Sequence, residues 1–211
     1  ADLGGMEEAR SDFSKAIELK SDMAIAFAGR AYVRSQLGEL KEAWNDCDTA
    51  LKLQPDLVPA LHTRADLLFR QEQFDDSLAD YTRAITLAPG NVYLYTGRAG
   101  VYGALGRDEE ALADDDQAIK LAADKGFFYT ARATLYEQME RFPEARADFD
   151  KAVELDADFS DSYLLRGGFR LRQGESELAL SDFEQAVKLD PESAEAFLGR
   201  GQAWLALQQP E

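Results

Sequence analysis

A single cysteine, Cys47, leaves no partner for an internal disulfide. A single histidine, His62, has no second imidazole, nearby thiol or carboxylate at ligand spacing, so neither a zinc site nor a catalytic triad can be assembled around it. Long apolar runs are missing: nothing approaches the roughly 18 residues that suggest a membrane-spanning helix, and no basic, apolar N-terminus resembles a signal peptide. Positive charge is scarce. With 23 Lys and Arg against 40 Asp and Glu the net charge is −17, which repels phosphate backbones and argues against a nucleic-acid partner. There is no P-loop, dinucleotide fingerprint or nucleophile elbow. These absences point away from an enzyme, from a bound cofactor or metal, and from membrane insertion.

What the chain has is a period. Small residues stand 34 apart at Ala31, Ala65, Ala99, Ala133, Gly167 and Gly201, and the spacing recurs at Ala9, Ala43, Ser77, Ala111, Ala145 and Ala179 and again at Ala16, Ala50, Ala84, Ala118, Ala152 and Ala186. Between the last two columns lie Phe13, Cys47, Tyr81, Phe149 and Phe183, and units close with Pro55, Pro89 and Pro191. A fixed period of this length is the mark of a repeat architecture. Each unit holds two stretches with apolar residues at helical spacing, such as Ala43, Cys47, Ala50, Leu51 and Leu53. Small residues let the two helices approach closely, and the turn Gln54-Pro55-Asp56 is expected to end one helix and start the next. Such a pair cannot cover its own apolar face, so stability must come from stacking on neighbours. The fold expected is all-α.

The columns of small residue, aromatic, Ala and closing Pro resemble the tetratricopeptide repeat over the whole chain. The resemblance implies an α-solenoid of stacked antiparallel helix pairs, about twelve helices forming a right-handed superhelix. Five units are expected at 24–57, 58–91, 92–125, 126–159 and 160–193, with 1–23 as the second helix of an earlier unit and 194–211 as the first helix of a later one. Starting partway through a unit, the chain reads as a piece of a longer protein. That leaves localisation open, with cytoplasmic as the default.

Two charged columns never change type: Arg30, Arg64, Arg98, Arg132, Arg166 and Arg200 precede the small residue of every first helix, and Asp12, Asp46, Asp80, Asp114, Asp148 and Asp182 recur in every second helix. They suggest a structural ladder of ion pairs, Asp12 to Arg30, Asp46 to Arg64 and onward, each tying a second helix to the first helix of the next unit through two parallel hydrogen bonds. Asp115 interrupts the aromatic column inside the run Asp114-Asp115-Asp116. Successive residues of a helix point about 100° apart, so these three acids do not make a metal site.

In tetratricopeptide proteins the concave groove, lined mainly by first helices, holds extended peptides or helices of partner proteins. One subgroup clamps the acidic C-terminal tails of heat-shock chaperones with Lys and Asn from successive first helices. The corresponding columns here read Ala28, His62, Thr96, Thr130, Leu164 and Tyr32, Asp66, Gly100, Thr134, Gly168, with neither Lys nor Asn. Tyr32, Phe69, Tyr93 and Phe127 should project toward the groove with Leu164 and Leu171. Gly97, Gly100 and Gly103 form a bare strip, either for close helix packing or for contact with a ligand backbone. The reading that follows is a non-catalytic scaffold or adaptor with a protein or peptide partner. Alternatives are a scaffold that self-associates head to tail through terminal helices exposing Phe197, Trp204 and Leu205, and an accessory binding domain of a larger enzyme.

Overall fold

The computed structural model describes residues 3–208; residues 1–2 and 209–211, the outer ends of the two expected terminal half-units, lie outside the described residues. Among the described residues there are twelve helices and no strand. They are α1 (Leu3–Leu19), α2 (Ala24–Gln36), α3 (Leu40–Leu53), α4 (Val58–Arg70), α5 (Phe74–Leu87), α6 (Val92–Ala104), α7 (Asp108–Leu121), α8 (Gly126–Gln138), α9 (Phe142–Leu155), α10 (Ser160–Arg172), α11 (Ser176–Leu189) and α12 (Ala194–Gln208). The architecture is an all-α repeat solenoid. Two compact units, Ala1–Asp114 and Asp115–Glu211, divide the chain within α7.

Helix ends follow from the same period. At each turn inside a pair, one residue adopts a left-handed backbone: Gly38 (φ 81°), Glu72 (59°), Gly106 (67°), Glu140 (58°) and Gly174 (78°). The amide after it bonds back to the preceding helix, as in Glu39 N–H to the Arg34 carbonyl at 2.9 Å and Arg141 N–H to the Tyr136 carbonyl at 2.8 Å, closing a Schellman turn over the free carbonyls. Between pairs the expectation for proline needs correcting. Pro55 lies in the turn after α3, whereas α4 begins at Val58 with Pro59 in its first turn, so Pro55 ends one helix without starting the next. α7 opens with Asp108, Glu109 and Glu110, placed where the helix dipole favours negative charge.

The small-residue columns are enclosed through the middle of the chain, whereas Ala9 and Ala16 are half-buried and Gly201 is exposed. Ala31, Ala65 and Ala133, Ala43, Ser77, Ala145 and Ala179, and Ala50, Ala84, Ala118, Ala152 and Ala186 all have 0% exposure, so not one methyl group could be added there without displacing a neighbouring helix. In the first unit one core joins Leu57, Leu61, Tyr81, Leu94 and Val101 to the alanines of α2 to α5. In the second, Phe149 and Phe169 meet at 5.2 Å among Ala133 and Ala145, and Phe183 packs with Ala179 and Ala203. Asp115, in the aromatic column, is buried.

Small and large residues also match between successive pairs. A Cβ built on Gly29 would stand 2.4 Å from the Phe13 ring, on Gly97 2.3 Å from the Tyr81 hydroxyl, and on Gly199 2.3 Å from the Phe183 ring. Each aromatic thus presses on the glycine sixteen positions onward, in the next first helix.

The ion pairs form within a repeat and not between repeats. Arg30 donates from Nε and Nη2 to Asp46 at 2.8 and 2.7 Å, and the same two-bond fork joins Arg64 to Asp80, Arg98 to Asp114, Arg132 to Asp148 and Arg166 to Asp182. This corrects the Asp12 to Arg30 register. Asp46 shares its face of α3 with Ala43 and Ala50, three and four residues away, and that face is turned to its own partner α2. The link to the preceding second helix exists, but through the third guanidinium nitrogen and a residue two places further on. Arg30 Nη1 reaches Ser14 (3.2 Å), Arg98 Thr82 (3.0 Å), Arg132 Asp116 (2.5 Å) and Arg166 Asp150 (2.9 Å). Asp12 is exposed, and Arg200 lies over the Phe197 ring at 4.9 Å. The ladder arginines are therefore occupied by the protein itself. The guanidiniums of Arg30, Arg64, Arg98 and Arg132 are held above their usual range, first by the hydrogen bond to the ladder aspartate.

Candidate interaction surface

In the first unit α2, α4 and α6 place Tyr32, Asp66 and Gly100 at the same register of three successive first helices. Tyr32 is 47% exposed, and Gly100 has nothing within 4 Å of where a Cβ would stand. Gly103 is equally open, whereas Gly97 is occupied by Tyr81. The glycine strip therefore divides: one member is needed for packing, and two leave bare surface.

Between them the Asp66 carboxylate is fixed by the Tyr81 hydroxyl, which donates to Oδ1. Burial, reinforced by the Asp66 charge, holds the Tyr81 phenol far above its usual range, so it remains a donor across the physiological span. Contrary to the sequence reading, a carboxylate does stand one helical turn from His62: its Nε2 lies 3.8 Å from Asp66 Oδ2, beyond hydrogen-bond reach, and its ring is tilted against Tyr81 with centroids 5.9 Å apart. Beside this group is an apolar cleft of about 260 Å³ lined by Phe13, Ile25, Ala28, Gly29, Tyr32, Pro59, His62 and Thr63. Ile25 and Pro59 were not anticipated. They belong to the register of Tyr93 and Phe127, so the column that singled out those aromatics already contained the signal.

Other expected groove residues are placed differently. Tyr93 is 62% exposed in the first turn of α6, where Asn91 caps its amide. Thr96 is half-buried and turns its hydroxyl to the Tyr93 carbonyl. Phe69 is drawn to the turn, its ring 5.8 Å from that of Phe74.

In the second unit the expected residues do not gather. Phe127 is 61% exposed and stands with Leu155, Ala157 and Phe159 around a cleft of about 570 Å³ at the α9–α10 turn. Thr134 returns its hydroxyl to the Thr130 carbonyl. Leu164 and Leu171 are partly buried and pack against the cluster of Ala179, Phe183 and Ala203. Gly168 is covered by Arg172, whose guanidinium comes to 3.3 Å from the built Cβ and forks onto Glu137 at 2.7 and 2.8 Å. On α12, Phe197, Leu198, Trp204 and Leu205 are 45 to 64% exposed.

A second concavity of the first unit, of about 420 Å³, lies around Trp44, Leu68 and Gln73. At the equivalent positions Arg10 pairs with Glu39 and Arg146 with Glu175, and Trp44 and Gln73 stand in place of such a pair. Cys47 is buried, and burial pushes its thiol up to about 12. Among the described residues no three His, Cys, Asp or Glu side chains are grouped to hold a metal ion, and no helix is long and apolar enough to cross a membrane.

Models of the family described as "Tetratricopeptide repeat" match residues 130–182 and 170–211, and a second such model matches 58–91. No curated protein sequence matches the chain. Among solved structures, YrrB, described as a TPR protein with an unusual peptide-binding site, is 21% identical, with 90% of this chain and 97% of that one covered at a TM-score of 0.63. PilF of Pseudomonas aeruginosa is 20% identical over 94% and 90% at 0.75, and a tetratricopeptide repeat protein from Parabacteroides merdae is 24% identical over 95% and 78% at 0.72. The 34-residue helix pairs, the enclosed small-residue columns and the family models that match in both halves agree, and the chain belongs to the tetratricopeptide repeat family.

Proposed function

We propose that the protein is a non-catalytic interaction scaffold that holds a segment of a partner protein against the first helices of its N-terminal unit. The observation that carries this reading is the contrast between two equivalent glycines. Gly168 is covered by Arg172, while Gly100 leaves open space beside exposed Tyr32 and the apolar cleft. Glycine within a helix costs about 0.5 to 1 kcal/mol relative to alanine, and nothing inside the protein recovers that cost at Gly100. Aromatic anchors beside smooth backbone suit a bound peptide or helix. A likeness to YrrB, whose structure carries a peptide-binding site, is consistent with this.

The test is capture from native extract with the wild-type chain and with Gly100→Arg, followed by mapping of the captured partner on overlapping synthetic peptides. The expected result is one peptide segment that binds the wild type and not the variant, while circular dichroism shows both folded. A segment bound equally by both would refute the groove.

A further inference from the structure

We propose, resting on the groove reading above, that the N-terminal unit reads a positive charge: its partner is a peptide segment in which a Lys or Arg lies close to an aliphatic or aromatic residue. The cation is received by Asp66 and the apolar side chain by the cleft between Ile25, Tyr32 and Pro59.

Three observations combine. Asp66 is the one acid of its column, 39% exposed, and only its Oδ1 is engaged by Tyr81. The second oxygen makes no hydrogen bond among the described residues, its nearest polar neighbour being His62 Nε2 at 3.8 Å, and can accept a charge-assisted hydrogen bond, while the phenol holds the carboxylate in place before any ligand arrives, which removes part of the ordering cost of binding. The ladder arginines of α2, α4 and α6 do not compete for it, because Arg30, Arg64 and Arg98 are each forked onto their own aspartate. The apolar cleft adjoins this carboxylate through His62, and its volume of about 260 Å³ accommodates one large side chain but no folded element.

The charge balance selects the same occupant. A chain of net charge −17 attracts basic segments at long range and repels acidic ones, and the open Gly100 position lets a ligand backbone approach the strip without displacing any side chain. Exposed Tyr32, one helix before Asp66 in the same register, offers a ring face on which a guanidinium can rest.

The experiment is panning of a phage-displayed random peptide library on the full chain, with selected sequences remade as soluble peptides for binding titration. Enriched peptides are expected to carry Lys or Arg within a few positions of Leu, Ile or Phe. Replacing that cation by Ala, or Asp66 by Asn, should each weaken binding about tenfold, and the two changes together no more than either alone. Tyr81→Phe, which retains the carboxylate but removes its anchor, should keep the preference for a cation with a smaller loss. Asp66→Lys should enrich acidic peptides in a fresh selection. Enriched peptides that lack a required cation yet fail to bind Gly100→Arg would overturn the charge reading and leave the groove standing. Peptides indifferent to Gly100→Arg would overturn the groove itself, and a library yielding no binder would overturn both for linear segments.

Discussion

The register of the ion-pair ladder can be decided by one arginine. Arg30 is forked onto Asp46, which is 4% exposed and also accepts Arg34 Nη1 at 2.7 Å, whereas Asp12, the alternative partner, is exposed. Asp46→Ala removes three charge-assisted bonds and leaves two guanidiniums whose side chains are 16% and 21% exposed. Removing one partner of a fully buried pair costs about 3 to 5 kcal/mol, and the partial access of water to both arginines brings the expectation to about 3 kcal/mol. Arg30→Ala should cost about 2 kcal/mol, since Arg34 still neutralises Asp46. A double-mutant cycle on Arg30 and Asp46 should return about 2 kcal/mol of coupling, and the parallel cycle on Arg30 and Asp12 less than about 0.5 kcal/mol. Trp44 packs beside Ala43 and Cys47 in the same pair and reports unfolding locally, provided that Trp204→Phe silences the second indole. Urea titrations followed by Trp44 fluorescence supply the four free energies of each cycle. Coupling that is absent from the first cycle or larger in the second would refute the intra-repeat assignment.

Gly97→Ala forces a methyl group into the Tyr81 ring and should destabilise the first unit by about 1 to 3 kcal/mol, whereas Gly100→Ala meets nothing and should stabilise it by about 0.5 to 1 kcal/mol, both read from urea midpoints. Glu72→Gly and Glu140→Gly relieve left-handed backbone at φ 59° and 58° and should each raise stability by about 0.5 to 1 kcal/mol in the same assay. Cys47, with its thiol pushed up to about 12, should resist iodoacetamide at mildly alkaline pH until urea exposes it. Because its folded pKa is raised above the ordinary thiol value of 9.0, the stability linked to this group is present below pH 9.0 and is lost as pH rises toward about 12, so alkaline unfolding should be delayed in Cys47→Ala.

Periodicity carried most of the fold because a helix pair cannot be shifted against its neighbour without driving an enclosed alanine into backbone. Columns such as Ala43 and Ala145 therefore mark helices and contacts together. The ladder partner was not legible for a related reason. Asp12 and Asp46 lie on opposite chain sides of Arg30, each across one turn, and their columns are identical in composition. Ala9 and Ala16 flank Asp12 just as Ala43 and Ala50 flank Asp46, so the choice rests on which neighbouring helix that face meets, and the structure turns it to the partner within the repeat. At the candidate site Tyr32 and Gly100 were readable by register, and so were Ile25 and Pro59 once aligned with Tyr93 and Phe127. The covering of Gly168 was not, because it depends on Arg172 finding Glu137 on a different helix. Nor did sequence alone reveal that the Tyr81 hydroxyl reaches past the core to hold Asp66.

At four of the ladder arginines the third guanidinium nitrogen bonds acceptors of two kinds. In the first unit, Arg30 and Arg98 hold the preceding helix through neutral hydroxyls, Ser14 and Thr82; in the second, Arg132 and Arg166 hold it through carboxylates, Asp116 and Asp150. Asp116 and Asp150 are about half exposed, so dissolved ions can screen these contacts while hydroxyl contacts remain largely indifferent to them. Added salt should therefore loosen the α7–α8 and α9–α10 contacts made by Arg132 and Arg166 more than the contacts that Arg30 and Arg98 make to Ser14 and Thr82.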